Sequence, residues 1–337
     1  MLRLLMTHTP EMRVNYYGDR ALTALAALCE LRLHEGDTVP GPAELAEMAE
    51  GCAIVLSDRQ TPGAGAFFDA APDVVAFLRC AVDIRNIDVA AASRNGVLVT
   101  RATPGFATSV AEMALGFMLD LARGISASVV CYRSGRMPEA RRGRTLACAT
   151  VGIIGFGVIG TELARLARAL GMGVLAMDPH RHIAEPGVRQ VDLPELLARA
   201  DFVVCLAPAT AETEGLMNAA AFAAMRPEAY FLNLARGELV DDDALAAALE
   251  AGRIAGAALD VGRAPDQMPA PALARRSDVV ATPHVAGLTP AAVEHQAFET
   301  VAQVEALLQG RMPDHAVNAA DAHRLDRLGI AWKDGAA

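Results

Sequence analysis

The sequence predicts an α/β protein made of two doubly wound parallel-sheet domains. Short apolar runs alternate with stretches of helical periodicity along the chain, the pattern of parallel strands joined by crossover helices. The runs also fall into two series. Between them lies "SVAEMALGFMLDLARGI", apolar at helical spacing over more than three turns.

In the first series "LRLLMTH", "ELRLHE", "CAIVLSD", "VVAFLRCA" and "GVLVT" read as strands, and "ALTALAALC" as a helix. The second begins at "TVGIIGF" and continues through "MGVLAMD", "DFVVCLAP", "AYFLNLA", "GAALDV" and "VVATPH". The chain then runs into "PAAVEHQAFETVAQVEALLQG", a helix introduced by Pro290 and closed by Gly310.

Composition removes several function classes. With 337 residues, 53% of them hydrophobic, the chain can build two ordinary cores. A formal net charge of −10 argues against a nucleic-acid partner, because phosphate binding needs a basic surface. The basic run Arg141-Arg142-Gly143-Arg144 reads as a solvated loop. No segment approaches the roughly 20 uninterrupted apolar residues of a membrane span, and "MLRLLMTHTPEM" is too short in its apolar part for a secretory signal. Cys29, Cys52, Cys80, Cys131, Cys148 and Cys205 are scattered, mostly in apolar runs, with no C-x-x-C pair. They read as small core residues of a cytoplasmic protein, and no metal site is expected.

The stretch "VGIIGFGVIG" is the first with chemistry in it. A G-x-G-x-x-G alone is weak, but an apolar strand precedes Gly155 and a helix follows Gly160. Gly155 permits a tight turn, Gly157 lets the backbone approach a pyrophosphate, and Gly160 lets the helix pack against the sheet. The first-turn amides, including those of Val158 and Ile159, then face an anion at the positive end of the helix dipole. About 20 residues on, "MGVLAMD" ends at Asp178, where a carboxylate accepts hydrogen bonds from ribose hydroxyls. The alternative is that Asp178 only caps the turn before Pro179. Asp178 should repel a 2′-phosphate, so NAD is the expected cofactor. Arg181, able to swing over that phosphate, leaves NADP open.

Three ordered motifs, "VGIIGFGVIG", "LNLARGELVDDDALAAALEAGRIAGAALDV" and "ATPHVAGLT", resemble the D-isomer-specific 2-hydroxyacid dehydrogenases. Weaker similarity runs across nearly the whole chain. The resemblance implies a Rossmann dinucleotide-binding domain, residues 103–287, inserted into a flavodoxin-like substrate domain. The latter would comprise residues 1–102 and 288–337, with catalysis in the intervening cleft. Periodicity alone gives two consecutive domains.

Oxidising a 2-hydroxy acid removes a hydroxyl proton as hydride leaves the adjacent carbon. A histidine can take that proton and return it in reverse, and a guanidinium can hold the substrate carboxylate. His284 matches the family's acid/base and Arg236 its substrate arginine. Ala235 and Asp260 match positions that orient the nicotinamide carboxamide, although Asp260 can also serve simply to cap a loop. The family's glutamate beside the histidine is absent: its place holds Pro265, and Asp266, the next residue, is the candidate replacement. Gly262 stands where a bulky aromatic is usual.

The substrate loop departs too. The family's glycine-bearing loop reads Ala81-Val82-Asp83-Ile84-Arg85-Asn86-Ile87-Asp88 in this chain. Asp83 would meet a substrate carboxylate, and two unit charges 4 Å apart repel by about 4 kcal/mol at an effective dielectric of 20. Val82 and Asp83 are therefore substrate-loop candidates, with Arg59 and Arg85 as compensating cations. The expected substrate is a small 2-hydroxy or 2-keto acid. The alternative function is a nucleotide-sensing regulator on the same fold, which has no need of Arg236 or His284. Finally, Val110, Met113, Ala114, Phe117, Met118 and Leu121 spread around more than one helix face. With the resemblance, they predict a homodimer.

Overall fold

The computed structural model describes residues 2–332, with the side chain of Asp266 outside that description. The chain divides into two compact units. One comprises residues up to Gly105 together with those from Pro290 onward, and the other is Phe106–Thr289.

The first unit is a five-stranded parallel sheet: β1 (Arg3–Met6), β2 (Glu30–Leu33), β3 (Ile54–Ser57), β4 (Ala76–Arg79) and β5 (Leu98–Thr100), in the order β2-β1-β3-β4-β5. β3 and β4 are buried throughout, as expected for parallel strands covered on both faces. The helix Pro290–Leu308 belongs to this unit and places Ala297, Val301, Val304 and Leu307 in its core beside Leu4, Met6 and Leu78. Strand order reverses between β1 and β3, so the segments leaving these strands, Thr7–His8 and Asp58–Arg59, lie where such folds take ligands.

The second unit is a seven-stranded parallel sheet. Its strands are β6 (Thr150–Ile154), β7 (Gly173–Met177), β8 (Val188–Gln190), β9 (Phe202–Cys205), β10 (Tyr230–Asn233), β11 (Gly256–Leu259) and β12 (Val279–Ala281). They are ordered β12-β11-β10-β9-β6-β7-β8. The switch point between β6 and β9 stands at the glycine-rich turn. The helix Ala107–Arg123 buries Val110, Ala111, Ala114, Phe117, Met118 and Ala122, leaves Met113 and Leu121 partly exposed, and ends at the left-handed Gly124.

β8 has no counterpart in the sequence reading, because an edge strand with one half-buried and two exposed residues carries no apolar run. Two other expectations need correction. Arg144 is no solvated loop residue: it donates to Asp201 and to the carbonyl of Glu228. Cys148 is exposed and Cys131 half-exposed, whereas Cys29, Cys52, Cys80 and Cys205 are buried. Among the described residues, no single helix is long and apolar enough to cross a membrane.

Candidate active site

The glycine loop answers two separate steric demands and leaves a third position open. Gly155 has φ of 89°, and a Cβ there would stand 2.6 Å from the backbone of Ala207. A Cβ on Gly160 would stand 2.6 Å from the carbonyl oxygen of Gly155, so only glycine lets the helix Val158–Ala169 start this close to β6. Gly157 differs: nothing lies within 4 Å of where its Cβ would be. It opens a cradle at the head of a helix that no side chain caps, with Val158 57% exposed and Ile159 partly buried. Uncapped amides beside an open backbone are what a pyrophosphate requires.

Asp178 is fixed beside this cradle. Its Oδ2 accepts from the Phe156 amide at 2.9 Å and its Oδ1 from the His180 amide at 3.0 Å. The donor and acceptor set therefore fits a dinucleotide.

Two further loops leave the same sheet edge. After β10, the Asn233 side chain accepts from the Ala235 amide (3.1 Å) and donates to the Arg236 carbonyl (2.9 Å), shaping the turn that presents Arg236. The Arg236 guanidinium donates to the Ala235 carbonyl at 2.7 Å. After β12, His284 has φ of 56°, a left-handed backbone uncommon outside glycine. Asp260, at the end of β11 and buried, holds it there. The carboxylate accepts from Thr282 Oγ1 (2.6 Å), the Val285 amide (2.9 Å) and the Ala286 amide (2.9 Å), and the Asp260 carbonyl accepts from the His284 amide (2.9 Å). Asp260 thus clamps the His284 loop on both sides of the histidine.

The loop between β11 and β12 is tightly wound. Gly262 donates to the Gln267 carbonyl and Ala264 to that of Met268. A Cβ on Gly262 would lie 2.6 Å from Pro269 Cα, which is why no aromatic stands there. A Cβ on Gly237 would collide with the Gly262 carbonyl carbon at 2.2 Å, so this loop is pressed onto the Arg236 turn. Asp266 lies in the short turn Pro265–Gln267, and its side chain lies outside the described residues.

In the first unit, Asp83 accepts from the Arg85 amide, Nε and Nη2 at 2.8–3.1 Å, a bidentate pair half open to solvent. The Arg59 guanidinium lies 5.6 Å from the centre of the Tyr16 ring. Val82 is half-buried on the same loop as Asp83.

Beneath these loops is a polar network that the sequence reading missed. Arg79 is fully buried and donates to the carbonyls of Asp58 and Thr61 and to Asn86 Oδ1. Asn86 donates in turn to the carbonyls of Arg59 and Gln60. The two loops carrying Arg59 and Asp83 are thereby stitched together. The signal was present: "AFLR" and "IVLSD" each end an apolar run on a charge. Burial pushes Arg79 down to about 10, partly offset by Asp58 and Asp83. Burial opposes ionisation of Asp58, yet its carboxyl is held below the ordinary value by His8 and by donors from Thr61, Gln60 and Thr7.

His8 is buried beside them, its Nδ1 without a partner, and burial pushes it down from 6.5 to about 4. The folded chain therefore refuses a proton that the unfolded chain accepts below pH 6.5. Stability is full above that value and falls as pH drops towards 4. Between pH 7 and 5, urea unfolding should show a loss of about 2 kcal/mol that His8→Leu removes. An equal loss in both proteins contradicts this. Asp58 acts at lower pH, its contribution being lost below the ordinary carboxylate range.

The sheet order, the glycine cradle and the placed carboxylate define a dinucleotide-binding α/β protein with a second parallel-sheet unit. The family model described as "D-isomer specific 2-hydroxyacid dehydrogenase, NAD binding domain" matches residues 115–286. The chain is 36% identical over 244 residues to a D-3-phosphoglycerate dehydrogenase of Synechocystis, covering 71% of this chain and 44% of the relative. It is 33% identical over 241 residues to a hydroxypyruvate reductase of Thermotoga maritima, covering 70% and 78%. The TT0316 protein of Thermus thermophilus aligns with a TM-score of 0.83 and 30% identity, over 94% of this chain and all of that one, 100%. The chain spans about half the length of the phosphoglycerate dehydrogenases it matches. It belongs to the D-isomer-specific 2-hydroxyacid dehydrogenase family, and Phe106–Thr289 carries that family's NAD-binding domain.

Proposed function

We propose that the chain is an NAD-dependent, D-specific 2-hydroxyacid dehydrogenase. The observation that carries this reading is the clamp: a buried carboxylate holds His284 in a left-handed backbone at the sheet edge that also presents Arg236 and the glycine cradle. Uncommon backbone conformations persist where the surroundings over-determine them, and they cluster at active sites.

Gly155, Gly157, Val158, Ile159, Gly160 and Asp178 hold the dinucleotide, which supplies a hydride donor or acceptor when bound. Arg236 binds the substrate carboxylate and fixes its orientation. His284 gives a proton to the carbonyl oxygen in reduction and takes it back in oxidation, with Asp266 assigned as its carboxylate partner. Ala235 is assigned to the nicotinamide end, and Asp260 acts there as a positioning residue through the loop it clamps. Val82 and Asp83 belong to the substrate loop, where Arg85 neutralises Asp83 and Arg59 adds a second cation. The substrate is a small 2-keto or 2-hydroxy acid. The test is NADH consumption across glyoxylate, pyruvate, hydroxypyruvate and longer 2-keto acids, with Arg236→Ala as control. The parent should turn over at least one of them and the variant none, and a parent inert to the whole panel overturns the reading.

We also propose a two-fold symmetric homodimer. The helix Ile125–Arg133 buries none of its residues, yet Val130 and Tyr132 on it are 62% and 58% exposed, and Met137 beyond it is 80% exposed. Apolar side chains this exposed on one short segment suit an interaction surface, and a second copy is the simplest occupant. Sedimentation at micromolar concentration should give a dimer, and Val130→Glu with Tyr132→Glu a monomer. A monomeric parent contradicts it. The six unpaired cysteines suit a reducing cytoplasm.

A further inference from the structure

Arg181 follows Asp178 by three residues, and both act on Phe156, the residue inside the glycine turn. Asp178 accepts from its amide, while the Arg181 guanidinium covers its ring at 5.3 Å and donates to its carbonyl at 2.7 Å. The same Nη1 reaches Thr161 Oγ1 at 3.2 Å. Thr161, Val158 and Arg181 line one open depression together with Ala107, Thr108 and Glu162. Glu162 is itself paired with Arg165. The remaining fork of Arg181, Nη2, is taken by Glu185 Oε1 at 2.5 Å.

A guanidinium three residues beyond the ribose carboxylate is a natural partner for a 2′-phosphate, which carries nearly two negative charges and strong acceptors. In this chain that cation is spent. Its charge is neutralised by Glu185, and the repulsion from Asp178 stands alone. We propose that Glu185 is a cofactor-specificity residue, which keeps the chain on NAD by occupying the arginine that would otherwise bind the 2′-phosphate of NADP. Phe156 and Thr161 hold Arg181 in place independently of Glu185. Removing the glutamate charge therefore exposes an anchored cation rather than releasing a mobile one, and little ordering entropy opposes the gain.

The proposal rests on the NAD reading above, and binding separates the two. Calorimetry gives Kd for NADH and NADPH with the parent, Glu185→Gln and Glu185→Gln/Arg181→Ala. Glutamine keeps the shape and removes the charge. The parent should prefer NADH. Glu185→Gln should leave NADH within about twofold and tighten NADPH about tenfold, or about 1.4 kcal/mol. The double variant should lose that gain, since the coupling runs through Arg181. An unchanged NADPH affinity in Glu185→Gln overturns the proposal, as does a gain that survives in the double variant. A parent that binds NADPH as tightly as NADH also overturns it. A parent that binds neither overturns the cofactor reading itself, and the proposal with it.

Discussion

Substituting His284 by asparagine should lower kcat for 2-keto acid reduction by about 10²–10⁴-fold, the range expected for a lost general acid, while NADH binds as before. Asparagine is the informative choice because the position is left-handed, with φ of 56°. Asparagine visits that region readily, whereas alanine adds roughly 1 kcal/mol of backbone strain. The asparagine variant thus removes the proton donor and keeps the loop. His284→Ala should lose activity to the same extent and also unfold earlier. Asp266→Asn should also lower kcat, with NADH affinity unchanged. An asparagine variant within tenfold of the parent removes His284 from the chemistry.

Asp260→Ala should be the most destabilising single change in the nucleotide unit's loops. It strips acceptors from Thr282 Oγ1 and from the amides of Val285 and Ala286, in a place where Asp260 itself is buried. Each donor left without a partner costs about 1–3 kcal/mol, so a total of about 3 kcal/mol is expected once water reaches the outermost one. Activity should fall with it, because the left-handed His284 loses its clamp. Asp260→Asn should lie between, since its amide can replace only one carboxylate oxygen as an acceptor. Urea unfolding with kcat on the same samples checks this. A stable, active Asp260→Ala would mean that the His284 loop holds its shape unaided.

Both sheets were legible in the sequence because most of their strands are buried on both faces, and a buried parallel strand is an apolar run. β8 escaped because two of its three residues are exposed. The return of Pro290–Leu308 to the first sheet was not readable from periodicity at all. An apolar stripe says that a helix is buried, not against which sheet, and the inserted arrangement came from resemblance. The glycine loop was legible residue by residue, since Gly155 and Gly160 each meet a steric demand and Gly157 leaves the backbone open to a ligand. Arg79 and Asp58 were not, because a charge ending a strand reads as surface until the neighbouring carbonyls and hydroxyls are in place. Arg181 was read as a mobile cation for the same reason: Glu185, four residues on in a loop, gives no periodic signal of pairing. Asp260 was assigned from resemblance to the nicotinamide, with a loop cap as the alternative, and its carboxylate is engaged in holding the His284 loop.

Isotope transfer tests the central claim most directly. NADH carrying deuterium at C4 on the transferred face is incubated with the protein and the 2-keto acid consumed fastest, and the product is analysed by mass and chirality. Hydride transfer with protonation by His284 places one deuterium on C2 of the D-2-hydroxy acid and none in solvent. NADH bound tightly with no deuterium delivered to any 2-keto acid, or delivered to give the L isomer, would contradict the account.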